Sequence, residues 1–187
     1  MAHHKSFLLP PLLAAATLLL ALLAASGEAR HLHRINRHSL FNAAALCRNA
    51  QHIDLCNDLA KSPGVSSPLS LVGAAVRIAA SKAERAQTEV GQLVASPATS
   101  KILKECLQSC QDSYGSALDS LHHTENLLHS GGRHADVMTE LTAASTFVET
   151  CSDSFDDFPE VQSPIDHLQS NLGKLVSTSL DLAAALK

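Results

Sequence analysis

The chain has 187 residues, of which 45% are apolar, 17% charged and 3% aromatic, with no Trp and one Tyr. Its formal net charge of −4 excludes the basic footprint with which nucleic-acid binders neutralise phosphates. An aliphatic chain of this length fills one core with Leu, Val, Ala and Ile rather than with rings.

The first element is a leader. His3, His4 and Lys5 precede an apolar run from Leu12 to Ala25, and Ser26-Gly27-Glu28-Ala29 supplies the small residues that suit signal peptidase. This predicts a secretory signal peptide over residues 1–29. A membrane anchor is the competing reading; Pro10, Pro11 and the shortness of the apolar run argue against it. The expected mature chain, residues 30–187, therefore has no membrane anchor and works in an oxidising, extracellular setting. It contains no Asn-x-Ser/Thr sequon, so no N-glycan is expected.

Residues 30–62 begin basic and His-rich, then turn apolar at Phe41, Ala44, Ala45, Leu46, Ile53, Leu55 and Leu59. Cys47 and Cys56 lie nine apart in sequence. On one continuous helix they would be too distant to bond, so their pairing requires the chain to turn back between them. The expectation is a short helical hairpin stapled at its base. In the chain-entropy account such a staple contributes about 2–3 kcal/mol.

Residues 63–187 carry four longer amphipathic segments. Ser67-Pro68 has the N-cap and N1 order that opens a helix, and Leu71, Ala75, Ile78, Ala79, Ala86, Val90 and Val94 continue it to about residue 94. Lys82, Glu84, Arg85 and Glu89 give it a wet side, read as solvation. Ser96-Pro97 interrupts the chain. From Thr99, Leu103, Leu107, Cys110, Tyr114, Ala117, Leu121 and Leu128 recur in steps of four and three along one face, and Ser130-Gly131-Gly132 ends the run. A third segment spans about Ala135 to Phe155, with Val137, Leu141, Ala144, Val148 and Cys151 on one side. Ser163-Pro164 repeats the cap-then-proline order. Ile165, Leu168, Leu172, Leu175, Ser179, Leu182 and Leu186 then trace the last helix, with Asp166 and Lys187 placed to suit its dipole. Short loops between long helices make neighbours antiparallel, so the expected fold is all-α: an up-down-up-down four-helix bundle preceded by the disulfide-linked hairpin.

Five Cys remain in the mature chain: Cys47, Cys56, Cys106, Cys110 and Cys151. An odd number in a secreted chain predicts two bridges and one spare thiol, or pairing with a second chain. Cys110 and Cys151 fall on the buried stripes of the second and third long helices, which makes them natural partners. Cys106 stands one turn before Cys110 on nearly the same side, so the residues alone leave a Cys106–Cys151 bond open. A loop of about 40 residues closed there contributes roughly 4 kcal/mol. The spare thiol is either buried and inert or an exposed route to a covalent homodimer.

No pattern of catalytic side chains emerges. His52 and Asp54 are neighbours, not a triad. Asp153, Asp156, Asp157 and Glu160 lack the alternating ligands and central Gly of a calcium loop. Cys106 and Cys110 have no matching second pair for zinc, and His122 and His123 are badly spaced to join them. His122, His123, His129 and His134 group around one end of the second and third long helices, as surface residues. No cofactor, metal or enzymatic activity is expected. An extracellular carrier of apolar ligands is a rival class, yet the Ala/Leu seams leave it little room.

The order of these motifs resembles the plant invertase and pectin methylesterase inhibitor family over the whole mature region. Cys47-x8-Cys56 is similar to the family's N-terminal hairpin disulfide. Cys110-x3-Tyr114-x2-Ala117-Leu118-x2-Leu121 resembles its second-helix signature, and Thr150-Cys151-Ser152-Asp153-Ser154-Phe155 its third. The resemblance implies that Cys110, not Cys106, pairs with Cys151. It also implies an apoplastic inhibitor of a cell-wall carbohydrate-active enzyme, binding one to one and laying helices over the enzyme's cleft. Asp112, Ser113, Ser116, Asp119 and Ser120 on the second long helix, with Thr139, Thr142 and Thr146 on the third, are then the candidate partner contacts. Invertase inhibitors of the family commonly carry Pro-Lys-Phe near the start of the last helix. This chain has Phe158-Pro159-Glu160-Val161, which favours pectin methylesterase as partner over acid invertase.

Overall fold

The structure, a computed structural model, describes residues 41–186, so the expected leader, the first part of the hairpin segment and Lys187 lie outside it. Among the described residues it contains six helices. Two are short, α1 (Ala43–Cys47) and α2 (Ile53–Leu59). Four are long: α3 (Pro68–Ala95), α4 (Lys101–Ser130), α5 (His134–Asp156) and α6 (Asp166–Ala184). None is long and apolar enough to cross a membrane.

The long helices form a square array in which α3 packs on α4 and α6, and α5 packs on the same two. Their order is up-down-up-down. Across α3–α4 the Gln111 side chain lies over Gly91 and the Gln87 side chain over Gly115, a register that only antiparallel helices allow. The aliphatic periodicity becomes the core: Leu71, Val76, Ala79, Val90, Leu107, Leu121, Leu141, Leu172 and Val176 are all buried. Small Ala side chains on α3, among them Ala75, Ala79, Ala83 and Ala86, are fully enclosed and let its backbone approach its neighbours.

Local chemistry sets the ends. Ser67 caps α3 through a reciprocal box: its hydroxyl accepts from the Ser70 N–H at 3.1 Å, and Ser70 Oγ accepts from the Ser67 N–H at 2.9 Å. Gly131 closes α4 in a left-handed conformation, φ 70°, with its N–H bonded to the Leu127 carbonyl. The last helix departs from expectation. It begins at Asp166 rather than immediately after Ser163, with Ile165 at the N-cap position and no side-chain cap. Ser163 Oγ instead accepts from the Ile165 N–H at 3.3 Å. Ile165 is 2% exposed, and seating that side chain in the core holds its backbone out of the helix.

The hairpin is as the cysteine spacing requires. Cys47 and Cys56 are bonded, with Cα atoms 5.6 Å apart, and both are buried. The turn between α1 and α2 is tied to the bundle where the Gln51 N–H donates to Asp181 on α6 at 2.8 Å.

Candidate functional site

Helices α4 and α5 share a face whose inner side is locked and whose outer side is polar. Cys110 and Cys151 are bonded, with Cα atoms 4.4 Å apart, and both are buried. Either side of that bridge the register is fixed by Ser109 Oγ and Ser154 Oγ at 2.7 Å, and by His123 Nδ1 and Glu140 Oε1 at 3.0 Å.

Behind the bridge lies a polar knot that periodicity did not reveal. Tyr114 is fully enclosed; its hydroxyl donates to Gln169 Oε1 on α6 and lies 3.2 Å from Cys151 Sγ. Gln169 then donates from Nε2 to the Val148 carbonyl at 2.6 Å and to Ser152 Oγ at 2.8 Å. One amide therefore joins α4, α5 and α6 at the level of the disulfide. Enclosure pushes the Tyr114 phenol well above the ordinary tyrosine range, because a phenolate there would lose its water. Tyr114 lies on the apolar stripe that the sequence shows; Gln169 carries no sequence signal.

The outer side is lined by small hydroxyls and carboxylates. Asp112 and Asp119 on α4 are exposed, as are Thr139, Thr142 and Thr146 on α5. Ser116 is half-buried. The hydroxyls of this set are folded back onto their own helices: Ser116 donates to the Asp112 carbonyl, Thr139 to Ala135, Thr142 to Met138 and Thr146 to Thr142. Thr150 continues the row by donating to Thr146. With their protons committed to backbone carbonyls, these hydroxyls can only accept further hydrogen bonds, and the exposed Asp112 and Asp119 add negative charge to the face. At one end of α5 the Arg133 guanidinium grips Asp136 at 2.7 and 2.9 Å and holds its carboxyl below the usual range.

Two of the expected contacts do not fit this face. Ser113 and Ser120 are each 8% exposed. They sit on the flank of the α4 stripe that turns inward, so they serve packing rather than partner contact. Of the two alternatives for the spare thiol, burial favours the inert one over a homodimer through Cys106. Cys106 is unbonded but 2% exposed, and burial pushes its thiol above the ordinary range, so the reactive thiolate is disfavoured. The four His are not one cluster. His123 pairs with Glu140, His134 Nε2 lies 2.9 Å from the Ala183 carbonyl, and His122 and His129 are exposed.

Beyond α5, Phe158-Pro159-Glu160-Val161 forms a turn closed by the Val161 N–H on the Phe158 carbonyl at 2.8 Å. Pro159 and Glu160 are exposed.

Comparison with known proteins agrees with this architecture. Similar in fold is the crystal structure of mutant form A of a pectin methylesterase inhibitor from Arabidopsis, at 17% identity and a TM-score of 0.67, covering 79% of this chain and 98% of that one. A second crystal structure, of a pectin methylesterase inhibitor from Arabidopsis thaliana, aligns at 19% identity and a TM-score of 0.58 over 78% of this chain and 95% of that one. No curated protein sequence matches. The profile of the family described as plant invertase/pectin methylesterase inhibitor matches residues 42–182, and the chain belongs to that family of enzyme inhibitors.

Proposed function

We propose that this protein is a secreted inhibitor of pectin methylesterase, itself no hydrolase, that lays its α4–α5 face over the enzyme's pectin-binding cleft in a reversible one-to-one complex. Asp112, Ser116, Asp119, Thr139, Thr142 and Thr146 are the contacts in this reading, joined by Thr150. The signal peptide over residues 1–29, the hairpin over 30–62 and the bundle over 63–187 belong to the same proposal, as does delivery to the apoplast.

The turn before α6 is the observation that carries the choice of target. Where invertase inhibitors of the family commonly present a basic Pro-Lys-Phe, this chain presents exposed Pro159 and the acid Glu160. An acid there repels the carboxylates of an invertase pocket instead of neutralising them. Support also comes from the two Arabidopsis structures, both named as pectin methylesterase inhibitors.

The test is a paired titration. Mature protein is added to a pectin methylesterase and to an acid invertase, and residual activity of each is recorded. Stoichiometric loss of esterase activity with invertase untouched is expected. Inhibition of invertase alone would overturn the choice of target.

A further inference from the structure

Across the bundle from the α4–α5 face, α3 and α6 line two adjoining open grooves of about 410 and 280 Å³ that share Lys82 and Asn171, the larger one also walled by Leu55, Asp58 and Leu59 of α2. Lys174 lines the larger groove and Arg85 the smaller. All four side chains are exposed. Neither lysine nor Arg85 takes part in any ion pair among the described residues. Of the acids lining the grooves, Asp58 is held by Lys61 at 2.8 Å, which leaves the unpaired Glu89 against three cations. Beneath the cations the smaller groove has an apolar floor, with Leu172 buried and Leu168 half-buried. Lys82 and Arg85 are three apart on α3, so they project side by side, roughly 5–6 Å apart at Cβ. Lys174 reaches in from the opposite wall.

We infer that this groove binds a polyuronate, the carboxylate-bearing form of a pectic sugar chain. Its successive carboxylates meet Lys82, Arg85 and Lys174, its hydroxyls meet the Asn171 amide, and its C–H faces rest on Leu168 and Leu172. A chain with a net charge of −4 repels polyanions at a distance, so attraction arises only where gathered cations outnumber the unpaired acids. The choice of a uronate over other polyanions rests on the pectin methylesterase reading, because that enzyme's product is the de-esterified, acidic chain. The groove's charge does not rest on it. Since the groove and the α4–α5 face lie on opposite edges of the array, one inhibitor can hold its enzyme and the acidic product together. Retention is then greatest where de-esterification has already occurred.

The experiment is calorimetric titration of the mature protein, without enzyme, with polygalacturonate and with highly methyl-esterified pectin, at low and high ionic strength. Expected is saturable binding to polygalacturonate that fades with salt, and none to the esterified chain. Lys82→Glu/Arg85→Glu/Lys174→Glu weakens it by roughly ten-fold or more, while the charge-matched Arg77→Glu/Lys101→Glu/Lys104→Glu retains most of it. Circular dichroism checks folding, and the single Arg85→Gln gives a smaller loss should the triple variant fail to fold. Equal binding of the two pectins, equal losses in the two triple variants, or undiminished binding by the groove variant would each overturn the inference. Binding to polygalacturonate by a protein that inhibits no pectin methylesterase would sink the preceding reading and leave the groove standing.

Discussion

Tyr114 is the sole tyrosine of the chain and there is no Trp, so its state can be followed directly by ultraviolet absorbance. Its phenol is raised in the folded protein by enclosure, above an unfolded value of about 10. The stability that its neutral form confers is thus fully present below pH ~10 and declines as pH rises beyond that. The folded protein is expected to show no phenolate absorbance while intact at pH 10–11, then a cooperative rise as it unfolds. A Tyr114→Phe variant should lose about 1 kcal/mol at neutral pH from the missing hydrogen bond and show a shallower alkaline decline. Ordinary titration of Tyr114 near pH 10 with the helices intact would refute this. Cys106 offers a parallel check: a thiol reagent should find no reactive sulfur in the native protein and one after denaturation, because the side chain is buried and its thiol is held protonated. Some of this was legible beforehand. A stripe of steps of three and four identifies Tyr114 and both bridged cysteines as inward. It does not resolve residues on the stripe's flanks, where Ser113 and Ser120 turn in and Ser116 stays half out. Nor does it foresee Gln169, whose role depends on three helices meeting at one height.

Two serine-proline steps show how helices differ in what starts them. Ser67 and Ser163 each precede a proline and offer the same local signal, yet only Ser67 caps a helix. In α3 the hydroxyls of Ser67 and Ser70 satisfy each other's backbone N–H groups, and nothing competes for the chain. Before α6 the buried Ile165 takes precedence, and Ser163 bonds outside the helix. Ser67→Ala is accordingly expected to lower stability by about 1 kcal/mol. Ser163→Ala should stay within roughly 0.5 kcal/mol, as a surface change does. Chemical denaturation of the two variants side by side measures the difference, and equal losses would mean that Ser163 also acts as a cap. The lesson for reading such chains is specific. Periodicity located the four long helices, and local cap rules located their ends only where no core side chain pulled the backbone elsewhere.

At the scale of the whole molecule the two disulfides and the square array divide the surface into independent faces. Cys110–Cys151 closes a separation of 41 residues and Cys47–Cys56 one of nine, contributions of about 4 and 2.6 kcal/mol in the chain-entropy account. The larger bond lies directly under the α4–α5 face, so that face is held rigid before any partner arrives, which lowers the ordering cost of binding. The opposite α3–α6 edge could not be recognised in the sequence. Lys82 and Arg85 look like ordinary solvated charge until α6 brings Lys174 and Asn171 across from them. Separate faces predict separable effects. Asp112→Lys/Asp119→Lys changes only exposed side chains and should leave the melting curve nearly unchanged. Reversing two charges at the centre of the proposed interface should weaken inhibition of pectin methylesterase by roughly ten-fold or more. Glu84→Lys/Glu89→Lys makes the same charge change on exposed positions of α3 and should leave inhibition intact. The inhibition constants of the two variants therefore locate the interface: equal weakening would mean that the enzyme responds to overall charge, and weakening by the α3 variant alone would move the interface to the other side of the bundle.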